Sequence, residues 1–182
     1  MKKVLMIYGT RYGSTKEISE KIADILREKQ FELTLINISE EAVPSLGDYD
    51  GVLIGTGIRI GKWTKKIKKF VKKKLVELNN RTFKLGFYIS CGTASKKEKV
   101  QEATEKFLLK NAAELGLNLD FYDAFGGTYD LRENSPIGKI VRAALKASLK
   151  EEEGWEIVED KLYDFRDWDQ IKSFTDKFAS LL

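Results

Sequence analysis

The chain has 182 residues, 42% of them hydrophobic and 33% charged, enough for one substantial core and too short for two ordinary domains. Lys+Arg 32 against Asp+Glu 28 gives a net charge of +4, which admits an anionic ligand or surface without calling for nucleic acid. With His 0 and a single cysteine, Cys91, the chain excludes histidine triads and dyads, histidine-ligated zinc or haem, internal disulfides, CxxC redox pairs and all-cysteine iron–sulfur clusters.

The opening MKKVLMIYGT is too short an apolar run for a secretory signal or a membrane span, so a cytoplasmic location is expected. Val4 to Tyr8, Leu33 to Ile38, Val52 to Ile54 and Leu85 to Ile89 are continuous apolar runs, as in strands covered on both faces. Leu119 to Phe125 is a fifth, less regular one. Between them, apolar residues recur at spacings of one helix face. The stripes are Ile18, Ile22, Ile25, Leu26; Trp63, Ile67, Phe70, Val71, Leu78; Val100, Ala103, Phe107, Leu115, closed by Gly116; and Phe174, Phe178, Leu181, Leu182. Ser14 and Glu17, Ser95 and Glu98, and Asp167 and Gln170 have capping-box spacing.

The alternation predicts one α/β domain over residues 1–182, with a five-stranded parallel sheet, right-handed crossovers and helices on both faces. A helical insert over 129–154 is surplus to that layout. Ser135 reads as its N-cap and Pro136 as its first turn. Ile137, Ile140, Val141, Ala144, Leu145 and Ser148 fall on one face, opposite Lys139, Arg142, Lys146 and Lys150.

Ligands of open parallel sheets bind beyond the carboxyl ends of the strands, and three loops leave those ends. In GTRYGST, the hydroxyls of Thr10, Ser14 and Thr15 and the amides opening the next helix can donate to a phosphate; the alternative is that Ser14 and Thr15 only cap that helix. The loop is neither a Walker A motif nor a dinucleotide fingerprint. In GTGIRIGKW, Gly55 and Gly57 admit a ring close to the backbone, and Arg59 can pair with an anion. Trp63 either stacks on that ring or begins a core stripe. In SCGTASKKE, small residues suit backbone hydrogen bonds to a heterocycle. Cys91 there reads as a strand-end filler, although a helix start nearby would lower its pKa. A phosphate loop and two ring-side loops together predict a mononucleotide with a planar ring, and FMN is the natural candidate.

GTRYGST after the first strand resembles the flavodoxin phosphate loop T-x-T-G-x-T, with Thr10, Gly13 and Thr15 in matching places and Arg11 and Tyr12 departing from it. More narrowly, TRYGST, YDGVLIGTGIRIGKW, the GG-T-Y stretch at Gly126 to Tyr129, the insert and the late DFRDW resemble the flavodoxin-type, menaquinone-dependent protoporphyrinogen oxidases and their relatives, over nearly the whole chain. The resemblance implies a flavodoxin-like three-layer fold of strand order 2-1-3-4-5 and non-covalent FMN. It implies that Thr10, Tyr12, Gly13, Ser14 and Thr15 hold the phosphate. Thr56, Gly57, Ile58, Arg59, Gly61 and Trp63 would line the isoalloxazine, with Ser90, Cys91, Gly92 and Thr93 opposite.

Flavodoxins of this resemblance are usually acidic, whereas this chain has a pI near 8.9 and eight lysines between Lys62 and Lys74. The simplest role of that run is a solvated helix face. It would also repel a basic partner and attract an anionic one or an anionic membrane surface, as would the insert helix. Nucleic acid is not expected, because no recognised module or interleaved exposed aromatics accompany the lysines. Three functions stand open: an FMN electron carrier working with a redox partner protein or quinone, an oxidase passing hydride equivalents from a porphyrinogen to a quinone, and a flavodoxin-like binding domain with a degenerate site.

Overall fold

In chain order the strands of the computed structural model are β1 (Lys3–Gly9), β2 (Glu32–Asn37), β3 (Gly51–Arg59), β4 (Lys62–Trp63), β5 (Lys84–Ser90), β6 (Phe121–Phe125), β7 (Thr128–Asp130) and β8 (Leu162–Asp164). The helices are α1 (Ser14–Glu28), α2 (Lys65–Asn79), α3 (Val100–Ala103), α4 (Lys110–Leu115), α5 (Gly138–Glu153) and α6 (Trp168–Leu181), with a π-helical segment, Thr104–Leu109, joining α3 to α4. The structure describes residues 1–135, 137–153, 156, 158 and 160–182.

Five strands run parallel in the order β2-β1-β3-β5-β6, which is the expected 2-1-3-4-5 once the short β4 is set aside. Successive side chains of a strand point to opposite faces, so the sheet feeds two apolar layers. Leu5, Ile7, Val52, Ile54, Leu85 and Phe87 pack with Ile67, Val71 and Leu78 of α2 and with Leu108 and Ala112. Val4, Met6, Leu53 and Tyr88 pack with Ile18, Ile22 and Leu26 of α1 and with Ile171, Phe174 and Phe178 of α6. Each fully buried aliphatic side chain of this kind contributes about 1.5–3 kcal/mol relative to exposure.

The sheet register decides where the loops meet. Gly9 pairs with Thr56, Gly57 with Ser90, and Ser90 with Phe125. The parallel pairing of four adjacent strands therefore ends at about one level.

Several local expectations are corrected. β3 does not stop at Ile54: it runs on to Arg59, turns at Ile60 and Gly61, and returns as β4 through Ile58–Trp63 and Arg59–Lys62 pairs. Trp63 is thus a strand residue and not the start of the α2 stripe. Ser14 does not cap α1, because Gly13 takes the N-cap position with φ 96° and Glu17 is drawn to Arg166. Ser95 closes a 3-10 turn and caps nothing. The third box survives by half: Asp167 Oδ1 accepts from the amides of Asp169 (3.1 Å) and Gln170 (3.0 Å), while the Gln170 side chain turns to Asp123.

The insert stands on a base that the periodicity does not reveal, the antiparallel pair β7–β8. α5 opens at Gly138 with φ 75°, and Ser135 Oγ accepts from the amide of Ile137 at 3.4 Å ahead of it. Pro136 and Gly154 lie outside the described residues. Ile137 is buried, but Ile140 of the same expected stripe is 87% exposed.

Candidate functional site

The first loop delivers donors to the carboxyl edge of the sheet. Thr10 Oγ1 accepts from the Gly13 amide at 3.0 Å, which closes the loop on itself. α1 then starts with no side-chain cap, leaving its first amides directed outward with the positive end of the helix dipole. Ser14 Oγ is 3.3 Å from Ser90 Oγ at the end of β5, and Ser90 Oγ donates to the Gly126 carbonyl at 3.3 Å. A methyl group built on Gly57 would come 3.2 Å from Thr15 Oγ1 and near no other heavy atom within 4 Å. Ser14, Thr15, Gly57 and Ser90 are therefore brought together with the Gly126–Gly127 turn. Arg11 and Tyr12 are exposed at the loop's outer side.

The second loop is a hairpin with a built-in turn. Ile60 and Gly61 have φ of 50° and 66°, the left-handed pair that tight antiparallel turns need. Glycine adopts this at no cost, whereas a β-branched isoleucine held there is strained by about 1–3 kcal/mol. Arg59 is exposed beside it and Ile58 half-buried. Gly55, expected to admit a ligand ring, instead admits the Tyr88 phenol, which occupies the space of its missing side chain. Ser19 Oγ donates to the Thr15 carbonyl at 2.6 Å and accepts from Tyr88 Oη at 2.6 Å, so this floor is closed by a buried hydroxyl chain. Burial pushes the Tyr88 phenol above its ordinary range.

Thr56 and Trp63 are turned inward. Thr56 Oγ1 donates to the Gly57 carbonyl (3.2 Å), accepts from the Thr64 amide (3.1 Å) and meets Thr64 Oγ1 (3.1 Å), pinning the hairpin to the start of α2. Trp63 is 3% exposed and its ring stacks on Phe87, with centroids 4.4 Å apart. It serves the core, which is the packing one of the two roles left open for it, and it is too buried to line the ring. Its Nε1 donates to the Phe107 carbonyl at 2.9 Å.

In the third loop Cys91 is buried, and its thiol is pushed up to about 11 by burial, against smaller opposing bonds from the Ala94 and Thr93 amides. The filler reading fits, and the helix-start effect is too weak to activate the sulfur. Gly92 and Thr93 are partly exposed. The Tyr129 hydroxyl, from β7, fills the space a side chain at Gly92 would need, so the base of the insert touches this loop.

Two contributors escape the sequence reading. Tyr129 lies in a GG-T-Y stretch, but only the fold shows that it reaches Gly92. Asn111, 7% exposed, donates to the carbonyls of both Gly61 (3.1 Å) and Phe107 (2.9 Å). A lone asparagine among Leu108, Ala112 and Leu115 on an apolar helix face was the available signal. Two hollows flank the site. One of about 310 Å³ lies between Thr10, Arg11, Ser39 and the lysines opening α2. One of about 430 Å³ lies between the third loop and α6. In the larger one, Lys97 pairs with Asp167, and Arg166 is held by Asp164 and Glu17.

A family model described as the flavodoxin domain matches residues 5–152. The protoporphyrinogen IX dehydrogenase [quinone] of Escherichia coli K12 is 27% identical over 180 residues, covering 98% of this chain and 96% of that protein. A protein of the same name from Leishmania major is 26% identical, covering 98% of this chain and 75% of that protein. Among solved structures, oxidised flavodoxin 1 from Bacillus cereus superposes with a TM-score of 0.59 at 20% identity over 99% of both chains. The strand order, the loops gathered at one sheet edge and the match of the family model to most of the sequence lead to one conclusion: the chain belongs to the flavodoxin domain family.

Proposed function

We propose that the chain binds FMN without a covalent bond and acts as a redox protein. The observation that carries this reading is the uncapped start of α1 facing the hydroxyls of Thr10, Ser14, Thr15 and Ser90 at the carboxyl edge of the sheet. The donor set fits a phosphate: hydroxyls and amides converge, and no carboxylate is among them. The open backbone at Gly57 fits the approach of a flat ring. Thr10, Gly13, Ser14 and Thr15 would hold the phosphate end, with Tyr12 at its outer margin. Gly57, Ile58, Arg59 and Gly61 would border the ring, with Ser90, Gly92 and Thr93 on the other side.

Bound FMN supplies one- and two-electron transfer. The protein's part is to place it, to exclude water through the Tyr88–Gly55 floor, and to leave the ring edge accessible to a partner. With no histidine in the chain and the Cys91 thiol protonated at neutral pH, the named residues carry no evident acid–base catalyst. A purified yellow protein, or one that turns yellow and gains thermal stability with added FMN, is the expected result. Protein that stays colourless and unstabilised removes this function.

The second reading is a protoporphyrinogen dehydrogenase that reduces a quinone. The full-length match to the Escherichia coli enzyme, which spans the insert region, favours it. Anaerobic incubation with protoporphyrinogen and a menaquinone analogue tests it: the expected result is flavin bleaching by the porphyrinogen and recolouring by the quinone. A flavin spectrum unmoved by the porphyrinogen leaves the carrier role alone.

The partner in either case is a redox protein or a quinone. Among the described residues no helix is long and apolar enough to cross a membrane. Lys65, Lys66, Lys69, Lys72 and Lys73 are exposed on α2, and no acidic residue occupies its first turn. Lysines there oppose the helix dipole, and of the five only Lys66 is shown with a bond to the fold, donating to the Ser39 carbonyl at 3.0 Å. That supports a cytoplasmic protein touching an anionic membrane surface at its periphery, assisted by the exposed Ile140 of the insert. Salt-sensitive sedimentation with anionic vesicles, absent with neutral ones, is the expected signature.

A further inference from the structure

We propose that Asn111 is a positioning residue for the ring-side hairpin, acting through the carbonyls of Gly61 and Phe107. The inference rests on the FMN reading above and concerns what holds one wall of that site.

The hairpin projects beyond the parallel sheet, and its tip is held from behind by one helical turn. The two N–H groups of the Asn111 amide reach two acceptors, the Phe107 carbonyl at 2.9 Å and the Gly61 carbonyl at 3.1 Å, fifty residues away in sequence. Trp63 Nε1, on the returning strand, reaches the same Phe107 carbonyl at 2.9 Å. An α-helix would give that carbonyl to the backbone amide of residue 111. Here two side-chain donors converge on it, and the helix widens into its π segment, where the Lys110 amide bonds back to the Glu105 carbonyl.

The hairpin is thus tied at its tip and at its return to a single carbonyl-centred knot. Asn111 is itself buried, so the tie is shielded from water and holds one geometry. The turn it secures contains the left-handed Ile60, a conformation that persists where the surroundings impose it. Gly57, Ile58 and Arg59 continue from the same strand. Fixing Gly61 and Trp63 fixes where their peptide groups stand before any ligand arrives.

The test uses the full chain and Asn111→Leu, which keeps the bulk and removes both donors. Trp63→Phe is the second variant, keeping the stack on Phe87 while removing one donor from the same carbonyl. Amide hydrogen exchange is read without ligand, and FMN affinity by fluorescence titration. In Asn111→Leu, exchange at residues 57–63 should accelerate about tenfold while the amides of β1 and β5 hold, and FMN should bind about tenfold more weakly. Trp63→Phe should shift both readings in the same direction by less. Unchanged FMN affinity in both variants overturns the proposal. So does acceleration spread evenly over the sheet, which is the mark of a merely structural role. Native protein that takes up no FMN overturns the functional reading and the ring-side role together. Native binding with an unaffected Asn111→Leu overturns the positioning role alone.

Discussion

Two helices begin near the carboxyl edge of the sheet and are finished differently. α6 is closed by its own chain: Asp167 accepts from the Asp169 and Gln170 amides and pairs with Lys97 at 3.0 Å. α1 is left open: glycine stands at its N-cap, no side chain caps it, and Ser14 leans across to Ser90. A helix start with glycine at its N-cap forgoes only a few tenths of a kcal/mol against a serine or aspartate. The chain forgoes it at the end where the FMN phosphate is proposed to sit and keeps it at the end where no ligand is proposed. The contrast separates a donor set left open, as the proposed FMN site requires, from one used for folding.

The sharpest way to break that contrast is Thr10→Val with Thr15→Val. FMN affinity should fall by about 1–3 kcal/mol, the strength of hydrogen bonds to a charged group, while the ligand-free unfolding midpoint moves much less. Equal losses in both measurements would mean that these hydroxyls serve the fold. Ser14→Asp should part the two properties further. A carboxylate at the start of α1 suits the dipole by about 0.3–1 kcal/mol, so thermal stability without ligand should rise. The same charge repels phosphate, and titration should show FMN binding weakened about tenfold.

At the closed end the expectation reverses. Asp167→Ala should cost about 1 kcal/mol of unfolding free energy in urea and leave FMN affinity where it was. The smallest effect is its pH dependence. The Gln170 amide, then Lys97, hold the Asp167 carboxyl below the usual carboxylate range. A depressed folded-state value means that the stabilisation is complete above the unfolded value of about 3.9 and drains away as pH falls through the folded one. The gap between native and Asp167→Ala should therefore be full at neutral pH and narrow steadily below about pH 4. A gap constant down to pH 2 would remove the carboxylate from the cap.

The sheet was legible because burial on both faces writes itself as unbroken runs such as Val4 to Tyr8 and Leu85 to Ile89. The order of strands and the meeting of three loops at one edge followed from the alternation and the resemblance together. What escaped was held by partners far away in sequence. Ser14 and Glu17 have the spacing of a capping box, yet one goes to Ser90 and the other to Arg166, 149 residues on. Trp63 stands four residues before Ile67, as a helical stripe requires, but two residues of pairing with β3 decide its state. Strands as short as β4, β7 and β8 leave no periodicity to read. Asn111 stood out only as a lone polar residue on an apolar face, and its role escaped because it lies in two carbonyls on other turns of the chain.

Trp63 has a practical consequence. Its indole is buried, stacked and hydrogen-bonded at the root of the hairpin, and an indole emits in the near ultraviolet and blue, where an oxidised flavin absorbs. The protein thereby carries its own optical gauge. Cofactor uptake should dim the emission of this tryptophan by energy transfer, and loosening of the hairpin should redden it by letting water in. In a chain whose other tryptophans, Trp155 and Trp168, are replaced by phenylalanine, both events are then visible in one spectrum, without a label.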